Sequence, residues 1–458
     1  MKEIKREIFR AYDIRGIVNK DFDGDWVEVL GKACGTYFLS LGYTHAVIGH
    51  DCRHSSPEYQ NRLMDGLLST GVDVTFLDMV ATPLFYFAIK NLNLNAGVMI
   101  TASHNPSDFN GFKVWAGEST IHTSEIQKIY EIMVVGDFAK GEGMASQLDI
   151  VPAYLDHLSD RAKLSNPIKV VVDGGNGSAG LVCVELLKRL GAEVVPLYCE
   201  PDGDFPNHHP DPTVLKNITD LSQIVTEEKA HLGIGLDGDG DRIGVVDEKG
   251  HVVYGDKLLA IFARQVLEEN PGTTVIGEVK CSHLLFKDIE KHGGKPLMWK
   301  TGHSLIKAKM KETGALLAGE MSGHMFFADR YYGFDDALYA AARLIEIVSK
   351  QPDMPLSSYL SDWPKTFNTP EIRMDCPEEI KFKVVSKAQA YFREKYNIVD
   401  VDGVRIIFDD GWGLLRASNT QPVLVLRFEA ESEKRLEEIR ALIEQPLKKW
   451  IQELTQDA

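Results

Sequence analysis

The sequence predicts an α/β protein of three similar units with mixed α/β sheets, then a C-terminal antiparallel α+β unit, around a central cleft. Two patterns carry this prediction. Across 46–320, short apolar runs alternate with amphipathic helical stretches, as strand–helix–strand units do. From Thr369 onward, closely spaced strands joined by turns replace that alternation. A chain of 458 residues also exceeds one core and should divide into about three or four domains of roughly 100–150 residues.

Taken in order, 9–16 reads as a polar turn ahead of a helix over 26–42. A strand over 46–49 ends at Asp51-Cys52-Arg53, and a helix over 57–69, a strand over 72–77 and a helix over 83–91 follow. The apolar run 95–100 is a buried strand, and Gly-rich 140–144 marks a boundary. The second unit opens with the strand 168–173, continues through a helix over 181–190 and a strand over 193–197, and closes with 232–237 and 242–247. The third runs from a helix over 257–269 through a strand over 274–279 and a helix over 282–292 to the segment 302–320. The last holds strands over 371–374, 404–408, 413–417 and 423–428, then a helix over 432–454. Pro446 should kink or break that helix, because proline lacks the backbone donor. Domains are therefore expected over 1–147, 148–252, 253–366 and 367–458. The shared length and element order of the first three suggest a degenerate internal repeat without residue identity.

Composition excludes several classes. Lys+Arg 50 against Asp+Glu 67 gives a net charge of −17, which argues against a nucleic-acid or anionic-membrane partner. The N-terminus lacks a signal-type apolar core, and no stretch reaches transmembrane length. Cysteines 34, 52, 183, 199, 281 and 376 show no CxxC and read as reduced thiols of a cytoplasmic protein.

Four loops carry candidate chemistry. Thr101-Ala-Ser-His-Asn-Pro106 follows a strand end, where α/β proteins bind ligands, and offers Ser103 as a nucleophile. Asn105, before proline, is pushed toward extended angles that would hold the loop open. A simple capping turn accounts for Ser103, His104 and Asn105 equally well. Asp237-Gly-Asp-Gly-Asp-Arg242 places three carboxylates at alternating positions of an extended loop. Oxygen-only donors favour a hard cation such as Mg²⁺ over zinc. An EF-hand is excluded because Arg242 occupies the position that needs glycine, and the flanks are strands. Arg242 itself is suited either to a transferring phosphoryl group or to balancing the aspartates. Gly319-Glu-Met-Ser-Gly-His324 groups Glu320, Ser322 and His324 in one turn, suited to sugar hydroxyls or to a buried Glu–His pair. Arg416-Ala-Ser-Asn-Thr-Gln-Pro422 offers Arg416, Ser418, Asn419 and Thr420 as a phosphate cradle, or as an ordinary hairpin turn. Lys280, Lys300 and His303 at or just after strand ends suit either added positive charge in the same cleft or plain surface solvation, and singly each fits the latter better.

One rival pattern stands out. Gly175-Asn-Gly-Ser-Ala-Gly180 matches G-x-G-x-x-G after a strand, with Glu200 beyond the next strand, as in dinucleotide-binding oxidoreductases. Glycines also serve tight strand-to-helix packing, and a dehydrogenase leaves the aspartates and Ser103 without a task.

Together the four loops, with 9–16, 110–113, 207–212 and 300–304 in support, resemble the α-D-phosphohexomutase superfamily and within it the bacterial phosphomannomutase/phosphoglucomutase branch. The resemblance covers nearly the whole chain. It implies a phosphate carried on Ser103, with Mg²⁺ held by Asp237, Asp239, Asp241 and that phosphoserine. It also implies transfer between C1 and C6 of a hexose phosphate through a hexose 1,6-bisphosphate. It further implies Lys113 and Arg15 near the transferring phosphate, Lys113 or His303 as acid/base, and Tyr12, His104, Lys280, Thr301 and Gly302 among the substrate contacts. Gln421 stands where relatives often carry Glu. Glu-Met-Ser resembles the mannose/glucose enzymes, whereas the glucosamine branch usually has Glu-Gln-Ser, so phosphoglucosamine mutase is the nearest alternative. A non-catalytic phosphosugar-binding protein is the alternative of another class. A monomer is expected in preference to an obligate oligomer.

Overall fold

The computed structural model describes residues 2–418 and 422–456. Its first three sheets are built on one plan. In the first unit, His45–His50 pairs in parallel with Asp73–Met79 on one side and Ala96–Ile100 on the other. Phe109–Ala116 then returns antiparallel to Ala96–Ile100. In the second unit, Lys169–Asp173 pairs likewise with Glu193–Leu197 and Leu232–Leu236, and Ile243–Asp247 returns antiparallel. In the third, Thr274–Glu278, Lys295–Trp299, Leu317–Gly319 and Met325–Phe327 repeat the order. The repeat suggested by the sequence is thus one of topology. The Ser103, Asp237 and Glu320 loops each join the third and fourth strands of their unit. Parallel strands end on one edge of a sheet, so all three loops leave equivalent edges.

The fourth sheet is antiparallel, with Val404–Phe408, Gly411–Ala417 and Val423–Ala430 at its centre. It has its own core, from Cys376 to Trp450. The other units share a core that includes the buried helices Thr82–Asn91 and Ala337–Lys350. The seam between the third and fourth units holds only a small apolar cluster around Val279, Trp412 and Leu414. The rest is polar: Arg405 donates to the carbonyls of Val279 and Cys281, and Arg427 to that of Lys280.

Two local expectations are corrected. Within 9–16, Ile14–Ile17 is an edge strand paired antiparallel with Phe109–Ala116, because Ile14 buries its side chain in the first core. The last helix, Glu433–Gln456, runs unbroken through Pro446. Leu436, Ile439 and Ile443 before the proline and Leu447 and Trp450 after it are all buried in one core. That continuous face outweighs one missing hydrogen bond. The helix Ala337–Lys350, unread from the sequence, buries every residue but the last, Arg343 and Glu346 among them. All six cysteines are free. No helix among the described residues is long and apolar enough to cross a membrane.

Pro446→Ala restores the backbone donor. A helix-interior proline costs about 3 kcal/mol against alanine, of which about 0.4–1 kcal/mol is returned by restricting the unfolded chain. The variant should raise the calorimetric unfolding midpoint, and a lowered midpoint would show that the proline ring's packing dominates.

Candidate active site

Ser103 sits beyond the end of Ala96–Ile100 with φ +50°, a left-handed conformation that serine rarely adopts. Asn105 N–H donates to the Ala102 carbonyl at 3.0 Å. The loop is therefore a closed turn, not the open segment that Pro106 suggested. Arg53 is the reason. Its guanidinium donates to the carbonyls of Ser103 at 2.9 Å, Asn105 at 2.6 Å, Pro106 at 2.5 Å and Phe109 at 3.0 Å. Asp51 accepts from its Nε at 3.1 Å, so all five donors of the fork are used. Both residues are buried. Arg15, on the edge strand, reaches the same turn through Asn105 Oδ1 at 2.8 Å.

Ser103 Oγ donates to Asp237 Oδ2 at 2.7 Å and lies 3.2 Å from His104 Nδ1. Burial first, then the Arg242 and Arg15 cations, push the His104 imidazole well below its ordinary range. Asp237, Asp239 and Asp241 are buried, with ligating oxygens within 4.8 Å of one another. They converge because the loop turns back at Gly240 (φ +75°), with Asp241 N–H donating to Asp237 Oδ1 at 3.1 Å. The expected extended loop is not what aligns them; the turn between two antiparallel strands does so. Burial, then the charges of Asp241 and Asp239, raise the Asp237 carboxyl well above its usual range. Burial opposes ionisation of Asp239 too, but Lys113 outweighs it and holds that carboxyl low. Lys113 Nζ donates to Asp239 Oδ2 at 2.7 Å and Asp241 Oδ2 at 2.5 Å. Asp239 Oδ1 and Asp241 Oδ1 are buried without a hydrogen-bond partner. Crowded, oxygen-only and partly orphaned, this donor set fits a hard divalent cation.

Two glycines allow the loops to stack. A Cβ on Gly238 would lie 2.4 Å from the Ser103 carbonyl, and one on Gly177 would lie 2.7 Å from the Gly238 carbonyl. The G-x-G-x-x-G segment therefore supports the aspartate loop directly, and Ser178 N–H donates to the Gly238 carbonyl at 3.0 Å. Protein backbone fills the space that a dinucleotide pyrophosphate needs beside Gly177.

The third unit supplies two groups. Arg242 Nε donates to His324 Nε2 at 3.0 Å, which ties the third unit to the aspartate loop. His303 stacks on it, with ring centroids 5.5 Å apart. Burial first and then Lys307 hold the His303 imidazole well below its usual range. Glu320 Oε1 accepts from Gly302 N–H at 2.7 Å, and burial raises its carboxyl. Ser322 is half-buried in the same hairpin turn, and Tyr12 Oη donates to the Thr301 carbonyl at 3.1 Å.

Two carboxylates absent from the sequence reading, buried Glu278 and half-buried Asp402, organise these loops. Glu278 accepts from Lys280 N–H at 2.7 Å, Thr301 Oγ1 at 2.9 Å and Met321 N–H at 3.3 Å. Asp402 Oδ2 accepts from Thr301 N–H at 3.1 Å and from Arg416 Nε at 3.0 Å, joining the third and fourth units. Lys381, also unread, donates to the Ser418 carbonyl at 2.6 Å. Asn419 and Thr420 lie outside the described residues. A cavity of about 850 Å³, lined by Arg10, Arg15, Phe109, Gln127, Lys381 and Pro422 among others, opens between the N-terminal segment and the last unit. Only the strand-end position of Glu278, two residues before Lys280, signalled any of these residues in advance.

Comparison with known proteins agrees with this arrangement. Family models described as phosphoglucomutase/phosphomannomutase α/β/α domains I, II and III match residues 6–140, 152–250 and 254–367, and the corresponding C-terminal domain matches 371–445. A phosphomannomutase/phosphoglucomutase of Pseudomonas aeruginosa is 48% identical over 443 residues, covering 96% of this chain and 95% of the relative. A phosphoglucomutase of Neisseria gonorrhoeae is 45% identical, covering 96% of each. The crystal structure of a phosphoglucomutase/phosphomannomutase family protein from Burkholderia thailandensis superposes with a TM-score of 0.91 at 42% identity, covering 98% of both chains.

Arg53→Ala leaves Asp51 buried without its cation, which costs about 3–5 kcal/mol in such pairs. Urea unfolding should show that loss, and an unchanged midpoint would mean that the Ser103 turn supports itself.

Proposed function

The chain belongs to the phosphoglucomutase/phosphomannomutase family of the α-D-phosphohexomutase superfamily, and from this we propose that it interconverts the 1- and 6-phosphates of glucose and mannose. The reaction is an isomerisation by phosphoryl transfer through Ser103, with a hexose 1,6-bisphosphate as intermediate and activator. The observation that carries this reading is the Ser103 hydroxyl 2.7 Å from Asp237, on a turn stacked against three convergent aspartates. Phosphoserine on that turn gives its phosphoryl group to the free sugar hydroxyl, forming the bisphosphate. The other phosphate then returns to the Ser103 oxygen.

Asp237, Asp239 and Asp241, with the Ser103 phosphate, would hold Mg²⁺, which when bound neutralises charge on the transferring group. Arg242 and Arg15 add positive charge at the same phosphate, and His104 packs beside it as a neutral ring. Lys113, charged between two carboxylates, is placed to give a proton to the departing oxygen. His303, kept neutral, is the second group suited to move a proton. Glu320, Ser322 and His324 stand at the sugar end of the cleft. Tyr12, Lys280, Thr301, Gly302, Arg416, Ser418, Asn419 and Thr420 form the cradle for the phosphate that is not transferred. A single cradle serves either end of the sugar, as reversible transfer between C1 and C6 requires. Closing the last unit excludes water, which would otherwise hydrolyse the phosphoserine. We read the protein as a cytoplasmic monomer acting on a diffusible sugar phosphate, and sedimentation at twice the chain mass would overturn the monomer.

³¹P NMR of the protein with Mg²⁺ and a trace of hexose 1,6-bisphosphate should show glucose-1-phosphate and mannose-1-phosphate converted to their 6-phosphates. Preference for glucosamine-1-phosphate would replace the substrate assignment. Ser103→Ala should abolish turnover with circular dichroism unchanged, and retained turnover would remove Ser103 from the mechanism. Asp239→Asn should weaken calorimetric Mg²⁺ binding, by about tenfold or more for a charged ligand lost from such a site. Equal affinity would place the cation elsewhere.

A further inference from the structure

Asp335 has no part in the mechanism above, yet it is fully buried beside it. One of its oxygens, Oδ1, accepts from Lys307 Nζ at 2.9 Å. The other, Oδ2, faces His324 Nδ1 at 3.1 Å and His303 Nδ1 at 3.6 Å. The contact with His324 lies off the direction of a straight hydrogen bond, and both ring nitrogens and Oδ2 lack any other partner. Asp241 Oδ1, 3.7 Å away, is the second carboxylate oxygen facing His324 Nδ1.

Arg242 decides what this cluster is. Guanidinium Nε is always a donor, so His324 Nε2 must be an acceptor. The hydrogen-bond network thus assigns a neutral ring with its proton on Nδ1. Asp241, His324 and Asp335 lie close enough together to suggest a cation site. A cation there would need the Nδ1 lone pair and would drive the proton onto Nε2, directly against the Arg242 donor. The arrangement is instead a donor from guanidinium to imidazole, with Nδ1 of the ring facing the carboxylate at 3.1 Å.

We propose that Asp335 is a positioning residue for phosphoryl transfer, holding the Nδ1–H form of His324 so that Nε2 accepts from Arg242 and aims that guanidinium at the transferring phosphate. The proposal rests on the function given above. Lys307 fixes the carboxylate by occupying its far oxygen. Arg242 uses only Nε in this arrangement, which leaves its terminal nitrogens for the phosphate. An orienting carboxylate that selects an imidazole tautomer acts in the same way behind the histidine of serine hydrolases.

Asp335→Asn tests the idea, because the amide can present N–H to Nδ1 and so favour the proton on Nε2. ¹⁵N NMR of the imidazole should report Nδ1–H in the native, Mg²⁺-loaded protein and a shift toward Nε2–H in the variant. Turnover should fall about 10²-fold, as for loss of one transition-state donor, mainly in kcat. Arg242→Ala added to Asp335→Asn should cost little more than either change alone. Asp335→Asn combined with Lys307→Met removes the lysine left unpaired and keeps the test open if the single variant folds poorly. A ring that stays Nδ1–H in both variants overturns the proposal, and so do losses that multiply in the double variant. Native protein without mutase turnover would remove the function itself, whereas the NMR result decides the tautomer in either case.

Discussion

The cleft depends on one buried guanidinium. Ser103 occupies a backbone conformation unfavourable to serine, and Arg53 holds it there through four carbonyls of the same turn. Strain of about 1–3 kcal/mol persists only where surrounding contacts over-determine it, and this fork supplies them. The Ser103 carbonyl faces two ways, toward Arg53 and toward Gly238 of the aspartate loop. The serine turn and the aspartate hairpin are consequently fixed by one another, and the Ser103 hydroxyl reaches Asp237 without a flexible arm.

Topology then explains why loops distant in sequence meet. Three units repeat one strand order, and each places its functional loop between its third and fourth strands. The antiparallel return makes each loop a short hairpin anchored by ladder hydrogen bonds on both sides. Differences among the three loops lie in side chains: a hydroxyl, three carboxylates, and a glutamate with a histidine. The fourth unit departs from the plan and contributes Arg416 from the end of an antiparallel strand.

Much of this was legible in the sequence because strand ends, glycines and acidic spacing are local signals. The Asp237–Asp239–Asp241 spacing pointed to a cation site, and the alternation of elements pointed to the units. Their alignment was attributed to strand period, whereas a turn at Gly240 produces it. Arg53, Asp335 and Asp402 were not legible, since each acts on backbone or side chains far away in the chain. Lone charged residues carry no spacing pattern to read. Pro446 failed as a breaker for a related reason: a tertiary core on both sides overrode a local preference.

The seam between the third and fourth units differs in kind from the core shared by the first three. It is mostly hydrogen bonds: Arg405, Arg427 and Asp402 reach across to groups that water satisfies nearly as well. Hydrogen bonds to charged groups such as these contribute about 1.5–3 kcal/mol each, whereas parting an apolar core would expose area at about 25 cal/mol per Å². The fourth unit is therefore the part of the chain whose displacement would uncover the least apolar surface.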